Sequence, residues 1–144
     1  DVRLVPLLSL PSGDESDPMV TGDPELLRSM VLNLIQNAIR HSPSREAVEI
    51  EIGRRERDII IAVRDRGCGI PEKYMGLIFE SFFRVPTRDQ KASLQGTGLG
   101  LAIARGVARM HGGEISVANR SGSGSEFIVR LPLTDNQANE ISIT

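Results

Sequence analysis

The sequence predicts an α+β fold: a two-layer sandwich in which a mixed, mostly antiparallel sheet of about five strands is covered on one face by about three helices. Three observations carry this. Val48, Ile50 and Ile52 alternate with Ala47, Glu49 and Glu51, the period of a strand with one buried and one wet face. Leu27, Val31, Leu34 and Ala38 fall at spacings of four, three and four, the buried stripe of a helix. The order of segments is strand, helix, two strands, loop, helix, two strands, which suits a sheet with its helices gathered on one side.

Each element has its own warrant. Asp1–Leu10 is an extended apolar segment, followed by a turn-rich stretch, Pro11–Pro18, and a short strand at Met19–Thr21. Asp23-Pro24-Glu25 begins the first long helix, with a capping carboxylate, a proline at the first helical position and an acid in the first turn. It is expected to run to about His41, where Ser42-Pro43 stops it. Asp58–Asp65 is apolar on both faces, as a central strand would be, and the short connector Arg55–Arg57 makes a hairpin with the strand before it. Asp65–Pro71 is a glycine-punctuated turn, and Glu72–Phe83 is expected to form a short helix. Arg84–Gly98 is polar, basic and without period, the pattern of a lid or of a disordered segment. Leu99–His111 is helical up to Gly112-Gly113. Glu114–Asn119 and Glu126–Leu133 are strands joined by Arg120–Ser125. One domain is expected over residues 1–133, with the lid at about 84–98 and a polar tail over 134–144.

Bulk properties narrow the function. The length of 144 residues suits one core, and one Tyr, four Phe and no Trp leave aliphatic side chains to fill it. A net charge of -2 predicts no attraction to nucleic acid or to a membrane surface. Cys68 is the only cysteine, so no internal disulfide forms and a reducing, cytoplasmic setting is expected. No apolar run approaches the roughly 20 residues of a membrane span, and no signal peptide is seen. The chain starts at Asp1, and is read as a monomeric piece of something longer.

Three segments carry possible chemistry. Asn33 and Asn37 lie one turn apart on the first helix, with Arg40 and His41 one turn beyond, so all four share a polar flank. A carboxamide oxygen can ligate Mg²⁺ and a guanidinium can hold phosphate oxygens, although a solvated helix face has the same pattern. Asp65 closes the central strand, where a carboxylate can accept from an exocyclic amine; a capped turn is the plainer reading. Gly96-Thr97-Gly98-Leu99-Gly100-Leu101 leads into the second long helix, whose free N–H groups favour phosphate. A dinucleotide-binding crossover fits poorly, since a basic loop with Arg84, Arg88 and Lys91, and no strand, precedes Gly96. Phe79 and Phe82 are read as packing under the lid, His111 as a helix cap, and Cys68 as a small residue with no activator.

Taken in order, these segments resemble the catalytic domain of sensor histidine kinases, within the superfamily of gyrase-type, mismatch-repair and heat-shock ATPases. The asparagine box is Leu32–His41, the first glycine box Asp65–Pro71, the phenylalanine box Phe79–Arg84 and the second glycine box Gly96–Leu101. Gly122–Phe127 looks like the last glycine motif, so the match runs from about Val2 to Pro132. The resemblance implies a Bergerat-type fold with a mobile lid, and ATP and Mg²⁺ as ligands. By position, Asn37 would ligate Mg²⁺ with Asn33 in support, Arg40 would reach the phosphates, and His41 would lie near the nucleotide. Asp65 would read the adenine amino group, with Gly67, Gly69, Ile70 and Ser125 lining the nucleotide. Arg84 would hold the terminal phosphate, and Gly96, Thr97, Gly98, Leu99, Gly100 and Leu101 would close over the triphosphate.

There are departures. Arg40 and His41 stand where many members have Lys and Tyr, and Ser81 where proline is common. Asn33 stands where the superfamily's ATPases have a glutamate that activates water, and a carboxamide cannot act as a general base. The resemblance therefore implies a protein-histidine kinase that passes phosphate to a histidine on a separate dimerisation domain, and through the full-length kinase to a response regulator receiver domain. Neither His41 nor His111 suits the acceptor role. The alternatives are an ATP-hydrolysing conformational switch of the same superfamily and a nucleotide-binding module without catalysis.

Overall fold

Asp58–Arg64 is apolar on both faces because it is the middle strand of a five-stranded sheet. The computed structural model describes residues 3–9, 19–43, 45–86 and 96–134. In chain order the elements are β1 (Arg3–Ser9), α1 (Pro24–His41), β2 (Ala47–Arg55), β3 (Asp58–Arg64), a 3₁₀ turn (Glu72–Tyr74), α2 (Gly100–Met110), β4 (Glu114–Asn119) and β5 (Ser125–Pro132). The sheet runs β1-β2-β3-β5-β4, with β1 parallel to β2 and every other pair antiparallel.

One face of this sheet makes the core. Val48 of β2, Ile59, Ile61 and Val63 of β3, Ile115 of β4, and Phe127, Val129 and Leu131 of β5 pack against Met30, Leu34 and Ala38 of α1 and Ala104, Val107 and Ala108 of α2. Burying each large aliphatic side chain contributes about 1.5–3 kcal/mol, so this layer contact is the main stabilising term. The helices run antiparallel, since Gly100 at the start of α2 lies beside Asn33 and His111 at its end lies beside Asp23. Leu34 and Ala38 of the expected α1 stripe are fully buried, joined by Met30, whereas Leu27 and Val31 flank them and are half-buried.

The N-cap of α1 is as the sequence predicts, with the Asp23 carboxylate accepting from the Glu25 and Leu26 N–H groups at 2.9 and 3.1 Å. Other expectations fail. Met19–Thr21 is no strand; the Met19 carbonyl accepts a single bond from Thr134 N–H at 2.9 Å, and the Thr21 and Thr134 hydroxyls pair at 2.6 Å. Glu72–Phe83 is a 3₁₀ turn followed by further turns, which leaves two α-helices among the described residues, against the three or so expected. Its bonds mostly span three residues, as in Tyr74 N–H to Pro71 O and Glu80 N–H to Leu77 O. The segment ends when Phe82, at φ 67°, turns its N–H to the Gly98 carbonyl at 2.9 Å. Pro11–Pro18, Arg88, Lys91 and the tail beyond Thr134 lie outside the described residues.

Candidate functional site

Three chain segments meet at one end of the sandwich: the last turns of α1, the turn after β3, and the start of α2. Contact between the first two is direct, because a side chain at Gly67 would run into the His41 carbonyl. Contact between the first and third is equally close. A Cβ at Gly96 would stand 2.7 Å from a guanidinium nitrogen of Arg40, and one at Gly100 would stand 3.6 Å from the Asn33 amide oxygen. Asn37 is half-buried one turn from Asn33. Among the described residues no hydrogen bond occupies the carboxamide of either asparagine.

Asp65 is only 1% exposed and heavily engaged. Its N–H continues the ladder to Ser125 O at 3.0 Å. Oδ1 accepts from Gly67 N–H at 2.8 Å and Ser125 N–H at 3.2 Å, while Oδ2 accepts from the Ser125 hydroxyl at 2.5 Å. A carboxylate offers about four acceptor positions, so one on Oδ2 is left for an incoming donor. The Asp65 carbonyl is held by the Arg120 guanidinium at 3.1 Å, and Arg120 pairs with Glu49 at 3.3 Å. Ser125 thus acts on Asp65 from within the protein, 4% exposed.

Charge follows the same convergence. Desolvation by its surroundings, then Arg40 and Arg84, hold His41 below the usual histidine range, against the opposing pull of Asp65. Asparagine box, first glycine box and Arg84 therefore share one electrostatic neighbourhood. Although much of the His41 side chain is open to solvent, its protonated form is disfavoured. Thr97 is exposed and its hydroxyl accepts from Leu99 N–H at 3.4 Å, at the cap of α2, while Leu101 packs against the core.

Among the described residues no three of His, Cys, Asp and Glu cluster as a metal cage. An oxygen ligand such as the Asn37 carboxamide could serve a hard cation such as Mg²⁺, which keeps several waters and takes further oxygens from phosphates.

Several residues behave differently from their sequence reading. Phe79 does pack, edge-on to Phe127 at 6.3 Å and beneath Arg105 at 4.8 Å, but Phe82 is 73% exposed. Phe83 stacks at a tilt on Tyr74, 5.7 Å away. His111 is more than a cap: its Nδ1 lies 2.7 Å from Val107 O, and its Nε2 accepts from Asp23 N–H at 3.1 Å, bolting the far ends of the helices together. Cys68 is exposed, its thiol directed to Gly69 O at 3.5 Å. Asn119 escaped sequence reading; it accepts from Ile70 N–H and donates to Ile70 O, both at 2.8 Å.

Comparison with known proteins shows the family and the fold. Residues 22–135 match the family described as histidine kinase-, DNA gyrase B- and HSP90-like ATPases. The chain is 43% identical over 113 residues to the sensor-like histidine kinase SenX3 of Mycolicibacterium smegmatis, covering 78% of this chain and 29% of that protein. It is 40% identical over 114 residues to the sensor histidine kinase RcsC of Escherichia coli, covering 79% and 12%. The chain thus spans less than a third of either relative. Among solved structures it is similar to the mycobacterial sensor histidine kinase MprB, with a TM-score of 0.74, 28% identity and coverage of 90% and 82%. It is also similar to full-length ShkA in complex with AMPPNP, with a TM-score of 0.74, 25% identity and coverage of 92% and 26%. The chain belongs to the histidine kinase-, DNA gyrase B- and HSP90-like ATPase family, as an ATP-binding catalytic domain of the histidine kinase type.

Proposed function

We propose that this site binds MgATP and passes the γ-phosphoryl group to a histidine on a separate helical dimerisation domain of the same kinase. The observation that carries the reading is the meeting of a buried carboxylate with an amide-lined helix flank that holds no acid at position 33. The open position on Asp65 Oδ2 would accept the adenine amino group, with Gly67, Gly69 and Ile70 against the base and Ser125 fixing the carboxylate. Asn37 would give Mg²⁺ one oxygen, with Asn33 beside it. Mg²⁺ when bound neutralises charge on the phosphates. Arg40, near Gly96, and Arg84 would hold phosphate oxygens, and Gly96 to Leu101 would offer backbone N–H groups at the start of α2. The segment 84–98 would serve as a lid.

Positioning and charge neutralisation are the main contributions a protein makes to phosphoryl transfer. Asn33 cannot take a proton from water, so ATP is spared for a better nucleophile, an imidazole nitrogen. The phosphohistidine would in turn supply a response regulator receiver domain, and the cytoplasm is the setting in which ATP is at hand. The test mixes this chain with MgATP and a histidine-bearing helical domain. Acid-labile phosphate is expected on the helical domain, none on this chain, and none at all with Asn37→Ala. Stable phosphohistidine on the isolated chain, or steady ATP turnover without an acceptor, would show the reading to be wrong.

A further inference from the structure

The final residue pair of the β4–β5 ladder is Asn119↔Ser125. Each member reaches a different wall of the base end of the site. Ser125 grips Asp65 with both its N–H and its hydroxyl, at 3.2 and 2.5 Å. Asn119 grips Ile70 on both backbone groups, at 2.8 Å each, in the manner of one more rung of sheet. Between these grips the loop has little latitude. Gly67 N–H is spent on Asp65, and Gly69 sits at φ 74°, where an added Cβ would stand 2.8 Å from Asn119 Oδ1. The spacing between the carboxylate and the Gly69–Ile70 backbone is therefore set by one cross-strand pair on another hairpin.

We propose that Asn119 is a positioning residue that determines base specificity: by holding Ile70 at a fixed separation from Asp65, it sets the width of the slot in which a purine 6-substituent is read. This rests on the reading of Asp65 as the acceptor for the adenine amino group. Asn119 touches no nucleotide itself; it acts through the Ile70 backbone. A carboxamide suits the task, because its oxygen accepts from the Ile70 N–H while its NH₂ donates to the Ile70 carbonyl. Its exposure allows replacement without opening the core.

The test measures the Kd of the 144-residue chain for ATP and for inosine triphosphate, each with Mg²⁺. The two ligands differ at the purine 6-position, an amino group against an oxygen, and in the proton that the oxo form carries on the adjacent N1. The unaltered chain is expected to favour ATP. Asn119→Ala is expected to weaken ATP binding about tenfold, from the loss of two neutral hydrogen bonds, while inosine triphosphate is affected far less. Asn119→Asp, which keeps the acceptor for Ile70 N–H and loses the donor, is expected to fall between. An equal loss for both nucleotides, or an unchanged ratio, would overturn the role of Asn119 and leave Asp65 as the base-reading group. A chain indifferent to the two nucleotides before any substitution would sink both.

Discussion

Single residues here are tuned by neighbours distant in sequence. His41 is held below its ordinary value of 6.5 by desolvation, Arg40 and Arg84. In the unfolded chain it titrates near 6.5, so below that pH the unfolded state takes up a proton that the native state resists. The contribution of His41 to stability is therefore unfavourable at low pH and vanishes above the unfolded value. Urea melts without nucleotide should show stability falling as pH drops from about 7 toward 5.5, with His41→Gln flattening that slope. The sequence showed the polar flank but not this electrostatics, because Asp65 and Arg84 reach His41 only through the fold.

At the scale of elements, α1 is the part most legible in the sequence. Its N-cap, proline and first-turn acid are contiguous, and the structure repeats them. Asp23→Ala removes the acceptor for two N–H groups and should cost about 1 kcal/mol, lowering the melting temperature by about 4 °C. An unchanged melt would mean that His111, which binds the Asp23 N–H, and not the cap, fixes this end. The segment Glu72–Phe83 was not legible. Its Phe cluster looks like an amphipathic turn of helix, yet the bond from Phe82 to Gly98 forces a left-handed backbone and turns the ring outward. That bond joins the two roots of residues 84–98, a closure no local pattern announces. In the stripe of α1, Leu34 and Ala38 are core as the spacing predicts; Leu27 and Val31 are apolar enough to join them, but only the sheet decides that Met30 takes the central place and they flank it.

For the whole molecule, ion pairs tie the layers together from outside the core. Glu114 at the start of β4 receives Arg105 and Arg109 of α2, both at 3.0 Å. Its carboxyl is lowered to about 2, first by the hydrogen bond from Arg105, with Ile115 N–H and Arg109 adding to it, against the opposing pull of desolvation. A depressed carboxyl stabilises the fold above the unfolded value of 4.5, and this is lost as pH falls toward about 2. The side chain is open to solvent, so the effect is modest and screened by salt. The contribution of Glu114 should begin to fade below pH 4.5 and be lost as pH passes below about 2. Glu114→Gln should lower stability at pH 7, match the parent near pH 2, and differ less in high salt.

What the sequence determined by itself is whatever contiguous residues can express. That includes the period of β2, the cap of α1, the glycines before α2, and the order in which the asparagine, Asp65 and glycine segments follow one another. The absence of an acid at Asn33 was equally plain once the resemblance to the superfamily's ATPases marked the position where one would stand. Only the tertiary structure decided that Ser125 grips Asp65 and Asn119 grips Ile70, that Arg120 clamps the Asp65 carbonyl, and that His111 locks the helix pair. The physical reason is distance along the chain. These bonds join residues 49 to 88 positions apart, and their partners are chosen by sheet register and by the path of the loops, which no local stretch of sequence specifies.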